Sequence, residues 1–167
     1  MARAGCRQVL IGLESHRPAR SPASSSGRIA RPGGPSGYVE AIRTIQAHGI
    51  TVNACFILGL DGQTTTVFRE IVDFAETAHP FDVPITLLTP FPGTPLFARL
   101  ECEGRILQTG AWQLCTLFDV NYRPSGMTPQ ELREGIYWLG ERLYSDEATR
   151  GRRKAFFDQR KQKITPT

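Results

Sequence analysis

The chain of 167 residues lacks clustered cysteines and long hydrophobic runs. Its four cysteines, Cys6, Cys55, Cys102 and Cys115, are 49, 47 and 13 residues apart, and none of these spacings is typical of a zinc or iron–sulfur site. The longest apolar run, residues 54–60, is far shorter than the ~20 residues of a membrane-spanning helix. The sequence therefore predicts neither a cysteine metal site nor a membrane span, and we expect a soluble cytoplasmic protein.

Acidic residues, lysine and aromatic residues are all absent from residues 16–37. This segment contains five Ser, four Arg, four Pro, four Gly and three Ala among its 22 residues. The prolines exclude a continuous helix, and almost nothing in the segment could be buried. A βα connection seldom needs such a long structureless stretch. Two interpretations stay open: a genuine surface loop, or a frameshifted segment, because these amino acids have GC-rich codons.

Apolar strands and amphipathic helices alternate through the rest of the first two thirds of the chain. The predicted strands are CRQVLIGLE, ITVNACFILGL and VPITLLT, and the predicted helices lie in YVEAIRTIQAHG, VFREIVDFAETA and PLFARLECEGR. This alternation is typical of an α/β fold with a parallel sheet and helices packed on it. Right-handed crossovers would then place the carboxyl ends of all strands at one edge of the sheet.

The C-terminal third predicts a long helix followed by a basic segment. Thr128, Pro129 and Glu131 form a capping-box pattern, and apolar residues follow at 132, 136, 139 and 143. The net charge is +5 over residues 1–37, −7 over 38–149 and +6 over 150–167. We interpret the basic segment as the solvated end of a helix. Nucleic acid is not an expected partner, because no aromatic or glycine pattern of a nucleic-acid-binding module accompanies the charge.

Several stretches together resemble the radical S-adenosylmethionine (SAM) superfamily. GCRQVLIGLES is similar to the fourth barrel strand of these enzymes, ACFILGLDGQT to the fifth, and ITLLTPFPGTPLFARLECEGRI to the sixth strand with its loop and helix. The W-x-x-C and YRPSGMTPQEL stretches resemble the C-terminal extension of the branch that often carries a cobalamin-binding domain.

The resemblance implies the C-terminal half of a partial (β/α) TIM-like barrel with an added helical extension. Its expected parts are a barrel strand over residues 1–15, the anomalous linker over 16–37, βα units over 38–105, and an extension with the long helix and basic tail over 106–167. SAM would bind across the carboxyl ends of the strands.

By position in the matched motifs, five residues are the implied SAM contacts. Glu14 and Ser15 would accept hydrogen bonds from the ribose or methionine part of SAM, as a carboxylate at a strand end can. Ile57 and Gly59 would flank the adenine, and Leu88 occupies the corresponding place on the next strand. Packing in the core explains Ile57, Gly59 and Leu88 equally well.

Two departures from the family pattern limit what the resemblance implies. Gln63 stands where the family has a glutamate after the fifth strand. The C-x3-C-x-x-C motif that holds a 4Fe-4S cluster is absent. We therefore interpret the chain as the C-terminal half of an enzyme whose intact form uses SAM, a 4Fe-4S cluster and, in some members, cobalamin.

Whether this chain is itself an enzyme is left open by the sequence. A missing N-terminal half on another polypeptide is the partner that the resemblance implies, and alone the chain is not expected to catalyse the reaction. The alternative is a small, non-enzymatic α/β binding or interaction module with a basic C-terminal tail.

Overall fold

The structure, a computed structural model, describes residues 1–13 and 34–164. Glu14, Ser15 and most of the anomalous linker lie outside the described residues. The strands are β1 (Gln8–Gly12), β2 (Thr51–Leu58) and β3 (Ile85–Leu87). The helices are α1 (Gly34–Ala47), α2 (Thr66–Ala78), α3 (Pro95–Cys102), α4 (Pro129–Tyr144) and α5 (Asp146–Ile164), with short 3-10 turns at Ala2–Ala4 and Trp112–Leu114.

The three strands form a parallel sheet in the order β1-β2-β3. Contacts divide the chain into two compact units. Unit 1 comprises Met1–Cys55, Phe74–Val83 and Asp146–Thr167, and unit 2 comprises Phe56–Asp73 and Pro84–Ser145. Both units contain part of β2 and part of α2, because the boundary between them crosses these two elements.

Unit 1 contains β1, the first part of β2, and helices α1 and α5. Gln8 to Gly12 pair in register with Thr51 to Cys55. Helix α1 packs against α5 and buries Ile42, while the α5 residue Phe156 is buried with its ring edge-to-face on Phe81 at 5.4 Å between centroids. The basic C-terminal segment is therefore part of a packed helix.

Helix α1 also bonds to the segment that ends α2. Arg43 Nη2 donates to the Thr77 carbonyl at 2.9 Å, and Gln46 Nε2 donates to the His79 carbonyl at 3.0 Å. Gly49 has a φ of +77°, as expected for a glycine that ends a helix. These contacts position α1 through polar bonds as well as through its apolar stripe.

Unit 2 contains the end of β2, all of β3, and helices α3 and α4. Phe56 to Leu58 pair in register with Ile85 to Leu87. The predicted capping box is present: Thr128 Oγ1 accepts from the Glu131 N–H, and Glu131 accepts from the Thr128 N–H. The bond from the Thr128 backbone lowers the pKa of the Glu131 carboxyl. Leu132, Ile136, Leu139 and Leu143 are all buried, which confirms the predicted apolar face of α4.

The predicted mixed α/β class with a parallel sheet is confirmed. Helix α1 begins at Gly34, three residues before the end assigned to the linker, and Pro35 in its first turn is compatible with a helix start. None of the helices within residues 1–13 and 34–164 has the length and apolar character needed to cross a membrane.

Candidate functional site

The ends of β2 and β3 bring two of the predicted site residues onto one face of the sheet in unit 2. Ile57 lies opposite Thr86 in the parallel pairing, and Leu88 follows two residues later, with its N–H bonded to the Leu58 carbonyl at 2.8 Å. Side chains two residues apart in extended chain lie on the same face, so Ile57 and Leu88 share one. Both are partly exposed, whereas Leu58 and Leu87 on the opposite face are buried.

A tight turn follows β2 directly, and the Gln63 side chain closes it. Gly59 has a φ of +85°, in the left-handed region that glycine adopts readily. Gln63 Oε1 accepts from the N–H groups of Gly59 and Leu60 at 2.8 and 3.1 Å, while its Nε2 donates to the Ile57 carbonyl at 3.2 Å. An ionised glutamate could accept the first two bonds but could not donate the third. The glutamine therefore suits this turn better than the family's glutamate would.

Tyr122 contacts the same turn from a separate segment. Its hydroxyl donates to the Gly59 carbonyl at 2.8 Å, and its side chain is fully buried. Burial raises the pKa of the Tyr122 phenol well above its ordinary value, so the hydroxyl remains a neutral donor. A Cβ on Gly59 would overlap the Tyr122 hydroxyl and crowd Leu132. Glycine is thus required at 59 by both the backbone conformation and the packing.

Ion pairs hold Asp61, in the middle of this turn. Its two carboxylate oxygens pair with Arg99 at 2.8 Å and with Arg105 at 2.9 Å, and Glu103 accepts from both arginines. Partial burial alone would raise the pKa of Asp61, but the hydrogen bonds from Arg105 and Arg99 outweigh it and keep that pKa below its usual range. Arg105 also donates to the Arg123 carbonyl at 2.7 Å. The network therefore links the turn to residues 99–105 and, through the Arg105 bond, to Arg123.

Residues 125 and 126 complete the support of this turn. The Gly62 N–H donates to Ser125 Oγ at 3.1 Å. A Cβ on Gly126 would overlap the Gln63 carbonyl oxygen, so only glycine allows that close approach. We call residues 59–63 the braced turn, because the Gln63 amide, the Asp61 ion pairs and residues 122–126 all hold it.

The loop after β3 is a compact start to α3. Thr94 Oγ1 accepts from the Phe97 N–H at 3.2 Å as the N-cap, and it lies 2.7 Å from the Phe91 carbonyl, to which it donates. Pro95 occupies the first helical position, and Gly93 has a φ of +75°. The PFPGT stretch therefore has a clear structural role, which is to turn the chain and cap a helix.

Large apolar side chains are exposed in the loops of unit 2. Trp112 is 54% and Phe118 63% exposed, and the Trp112 ring lies 5.9 Å from that of Phe97 between centroids. Leu117 has a φ of +69°, uncommon for a branched residue, and its carbonyl accepts the Leu87 N–H at 2.7 Å. Exposed apolar groups of this kind are suited to contact an apolar ligand or another protein surface.

Three of the five predicted SAM contacts lie in the part of the chain that the structure describes. Ile57, Gly59 and Leu88 all lie at the ends of β2 and β3, while Glu14 and Ser15 lie outside the described residues. The Gly59 N–H and carbonyl already bond to Gln63 and Tyr122. A role for Gly59 in ligand binding would therefore be to leave room for the ligand, not to hydrogen-bond to it.

Sequence reasoning missed the side chains that support the turn. The bond between Tyr122 and Gly59 spans 63 residues of the chain, and the bonds of Asp61 with Arg99 and Arg105 span 38 and 44. The Asp-Gly pair at 61–62 signals a turn. No spacing rule connects that pair to residues 99, 105 and 122, because the contact depends on how the intervening chain folds.

The cysteines do not fit an iron–sulfur cluster. All four lie in the part of the chain that the structure describes, and within that part no three Cys, His, Asp or Glu residues are grouped as metal ligands. By contrast, Ile57 and Leu88 are two partly exposed apolar residues on one face of the sheet.

The chain is similar to several curated enzymes. It is 27% identical over 149 residues to bacteriochlorophyllide d C-12(1)-methyltransferase of Chlorobaculum tepidum, covering 87% of this chain and 30% of that protein. It is 39% identical over 69 residues to hopanoid C-2 methylase of Rhodopseudomonas palustris, covering 41% of this chain and 13% of that protein. It is 29% identical over 109 residues to anaerobic magnesium-protoporphyrin IX monomethyl ester cyclase of Cereibacter sphaeroides, covering 65% of this chain and 17% of that protein.

These relatives are a methyltransferase, a methylase and a cyclase by name, and this chain spans less than a third of the length of each. No family model matches the chain.

Proposed function

We propose that the chain is the C-terminal half of the barrel of a radical SAM enzyme, in the branch associated with cobalamin, and that it contributes the adenine side of the SAM site. The observation that carries this proposal is the shared, partly exposed face of Ile57 and Leu88 beside the braced turn. The whole enzyme would catalyse methyl transfer or cyclisation, the two reaction types that the names of the relatives contain.

Each predicted residue has a defined role in this proposal. Ile57 and Leu88 pack on the adenine, and the braced turn keeps the end of β2 rigid beneath it. Glu14 accepts hydrogen bonds from the ribose or methionine part of SAM, and Ser15 adds a further polar contact. Gly59 contributes by leaving room for Tyr122, which anchors the turn.

The intact enzyme requires a group that these residues do not hold. In radical SAM enzymes a 4Fe-4S cluster supplies the electron for reductive SAM cleavage, and its three cysteine ligands have no counterpart among the cysteines of this chain. The ligands would come from the other half of the barrel, and the cobalamin of the branch would belong to a further domain. The chain by itself is therefore expected to bind SAM without cleaving it.

Unit 1 supports the presence of additional protein beside the sheet. Leu10 on β1 is 70% exposed, and within the described residues β1 pairs only with β2. An exposed apolar side chain on a strand with one neighbouring strand among the described residues is what an adjoining element would cover.

Calorimetric titration of the full chain with S-adenosylhomocysteine, which is not consumed, tests the proposal. We expect binding that Leu88→Ala weakens roughly fivefold through lost apolar contact. The control is Leu107→Ala, a leucine of unit 2 that is 37% exposed and lies outside the strands. Equal weakening by both variants, or no binding by the unmodified chain at millimolar ligand, would contradict the proposal.

The role of Glu14 has a separate test in the same titration. Glu14→Ala should weaken binding tenfold or more, because hydrogen bonds to a charged group are worth ~1.5–3 kcal/mol. Glu40→Ala, which removes an exposed carboxylate from α1, is the control. If the two variants bind alike, Glu14 is not a ligand contact.

The alternative of a non-enzymatic module makes the opposite predictions. Helix α5 exposes basic side chains such as Arg153 and Lys154. Salt-sensitive binding of nucleic acid, with no binding of S-adenosylhomocysteine, would favour that alternative.

A further inference from the structure

A cavity of about 330 Å³ lies at the amino ends of β1 and β2 in unit 1. Arg7 precedes β1, and His48 and Gly49 connect α1 to β2, so both strand starts contribute to its wall. Cys6 and the α5 residue Arg160 also line the cavity. Its volume is at the lower end of the range of small-molecule sites.

Among the described residues that line this cavity, the charged or titratable nitrogen side chains are Arg7, His48 and Arg160, and none of these residues carries a carboxylate. Neither Arg7 nor Arg160 forms an ion pair with any of the described residues. His48 Nδ1 lies 2.8 Å from the Thr44 carbonyl and must donate to it, because a carbonyl only accepts. In a neutral His48 ring Nε2 is then an acceptor, so the donors that this lining offers to an anion are the two arginines.

Hydrogen bonds hold the main chain at Arg7 and the turn beside Arg160. The Arg7 carbonyl accepts from both the N–H and the hydroxyl of Thr51, at 2.9 and 3.2 Å. The Gly49 N–H donates to the Gln46 carbonyl at 2.9 Å, and Arg160 Nε lies 3.9 Å from the position that a Cβ on Gly49 would take, so the Arg160 side chain is next to this turn. The backbone that carries Arg7 is thus fixed to β2, and Arg160 lies against the turn that starts β2.

We propose that this cavity is a binding site for the phosphate group of a small phosphorylated molecule. Two guanidinium groups without acidic partners among the described residues match a phosphate, because each can donate two parallel hydrogen bonds to its oxygens. The site lies at the amino end of β2, whereas the proposed SAM contacts lie at its carboxyl end. It therefore does not depend on the proposed function above.

A purely structural role for the same side chains is the competing explanation. Helix α1 ends at Ala47, and basic groups near a helix C-terminus offset its partial negative charge. In that case Arg7 and Arg160 would contribute to stability, but the cavity would bind no anion with useful affinity. A binding measurement combined with thermal unfolding separates the two explanations.

The experiment is a calorimetric titration of the full chain with inorganic pyrophosphate, and with sulfate as a second anion. We expect pyrophosphate to bind, and Arg7→Ala and Arg160→Ala each to weaken binding roughly tenfold or more. Arg160→Lys should bind with intermediate affinity, because it keeps the charge but loses the planar fork. Arg3→Ala is the matched control, since it removes one exposed positive charge from the same unit outside the cavity.

Four results would overturn the proposal. The first is no pyrophosphate binding by a chain whose circular dichroism shows it to be folded. The second is equal weakening by Arg3→Ala and Arg160→Ala, which would show nonspecific charge attraction. The third is a lowered melting temperature for Arg160→Ala together with unchanged binding, which would show a structural role alone. Sulfate binding as tight as pyrophosphate binding would also overturn selectivity for phosphorylated molecules.

Discussion

The two compact units of the chain differ in how they are stabilised. In unit 2 the chain that follows β2 is held by specific polar bonds and by close approaches at glycine, from Gln63, Asp61 and Tyr122. In unit 1 helix α1 packs against α5 and bonds to the end of α2 through Arg43 and Gln46, but buried oxygens of Gln46 and Gln159 lack partners among the described residues.

This difference shows where the buried polar groups of the chain have hydrogen-bond partners. Buried polar groups in native proteins are nearly always hydrogen-bonded, and unit 2 satisfies this rule around the braced turn. Rigid support of that kind is what a ligand site needs, because loose side chains lose binding energy when they are ordered. Unit 1 instead keeps exposed apolar area on β1 and a cavity whose basic groups have no acidic partner in the described part of the chain.

Substitution of Gly59 should have the largest effect on stability, and this effect should fall on unit 2. Gly59→Ala forces a Cβ into Tyr122 and keeps alanine in the left-handed region, so we expect about 3–4 kcal/mol lower unfolding free energy. Hydrogen exchange should show protection lost over residues 56–73 and 84–145. Chemical denaturation gives the magnitude.

A double variant tests the cause of that effect. Tyr122→Phe removes the atom that the new Cβ would overlap, so Gly59→Ala should cost less in its presence than alone. Equal costs in the two backgrounds would show that the clash is not the cause. Equal loss of protection over residues 1–13 and 34–55 would show that the two units unfold together. In that case the units would not differ in how they are stabilised.

Truncation of Phe156, a buried residue of α5, should have the next largest effect on stability. This effect should fall on unit 1. Phe156 is 3% exposed and packs on Phe81, so Phe156→Ala should lower the unfolding free energy by about 3 kcal/mol. The neighbouring Phe157 is 49% exposed, and Phe157→Ala should cost less than about 1 kcal/mol. Urea denaturation of the two variants side by side measures the difference. Similar losses from both would contradict the assignment of Phe156 as the anchor of α5.

The Asp61 network should give the smallest effect, and one that depends on pH. Asp61→Asn should cost at most about 1 kcal/mol near neutral pH, because the carboxylate is 41% exposed and solvent screens its ion pairs. The pKa of Asp61 is lowered in the folded chain, so this stabilisation is present above the unfolded pKa and is lost as pH falls through the folded value.

Melting temperatures of the unmodified chain and the Asp61→Asn variant, measured across acidic pH, check this prediction. The difference between them should shrink toward zero at low pH. A difference that stays constant with pH would mean that Asp61 acts through its hydrogen-bond geometry and not through its charge. Asp73→Asn, which breaks an exposed ion pair with Arg69 on α2, is a control for general surface charge.

Much of the fold could be predicted from local patterns. The capping box at Thr128 and the spacing of apolar residues along α4 both depend on chain neighbours within one or two turns, and the structure confirms them. The end of the linker was less predictable, because helix α1 starts at Gly34 among residues that individually disfavour a helix.

The candidate site was only partly predictable, for a different reason. Placing Ile57 and Leu88 near strand ends needs only the strand pattern, but whether they contact SAM stays a prediction. The role of Gln63 was in doubt in the sequence because a glutamate stands there in the family that the chain resembles. The structure shows three hydrogen bonds that an amide can make together and a carboxylate cannot.

By itself the sequence determined the alternation of strands and helices, the capping box of α4, and the lack of clustered cysteines, since each depends on residue type and short-range spacing. Only the tertiary structure decided that Tyr122, Arg99 and Arg105 meet the turn after β2, and that Arg7 and Arg160 line one cavity. The physical reason is distance along the chain. Side chains that are tens to more than a hundred residues apart meet only when the elements between them pack, and no local pattern encodes that packing.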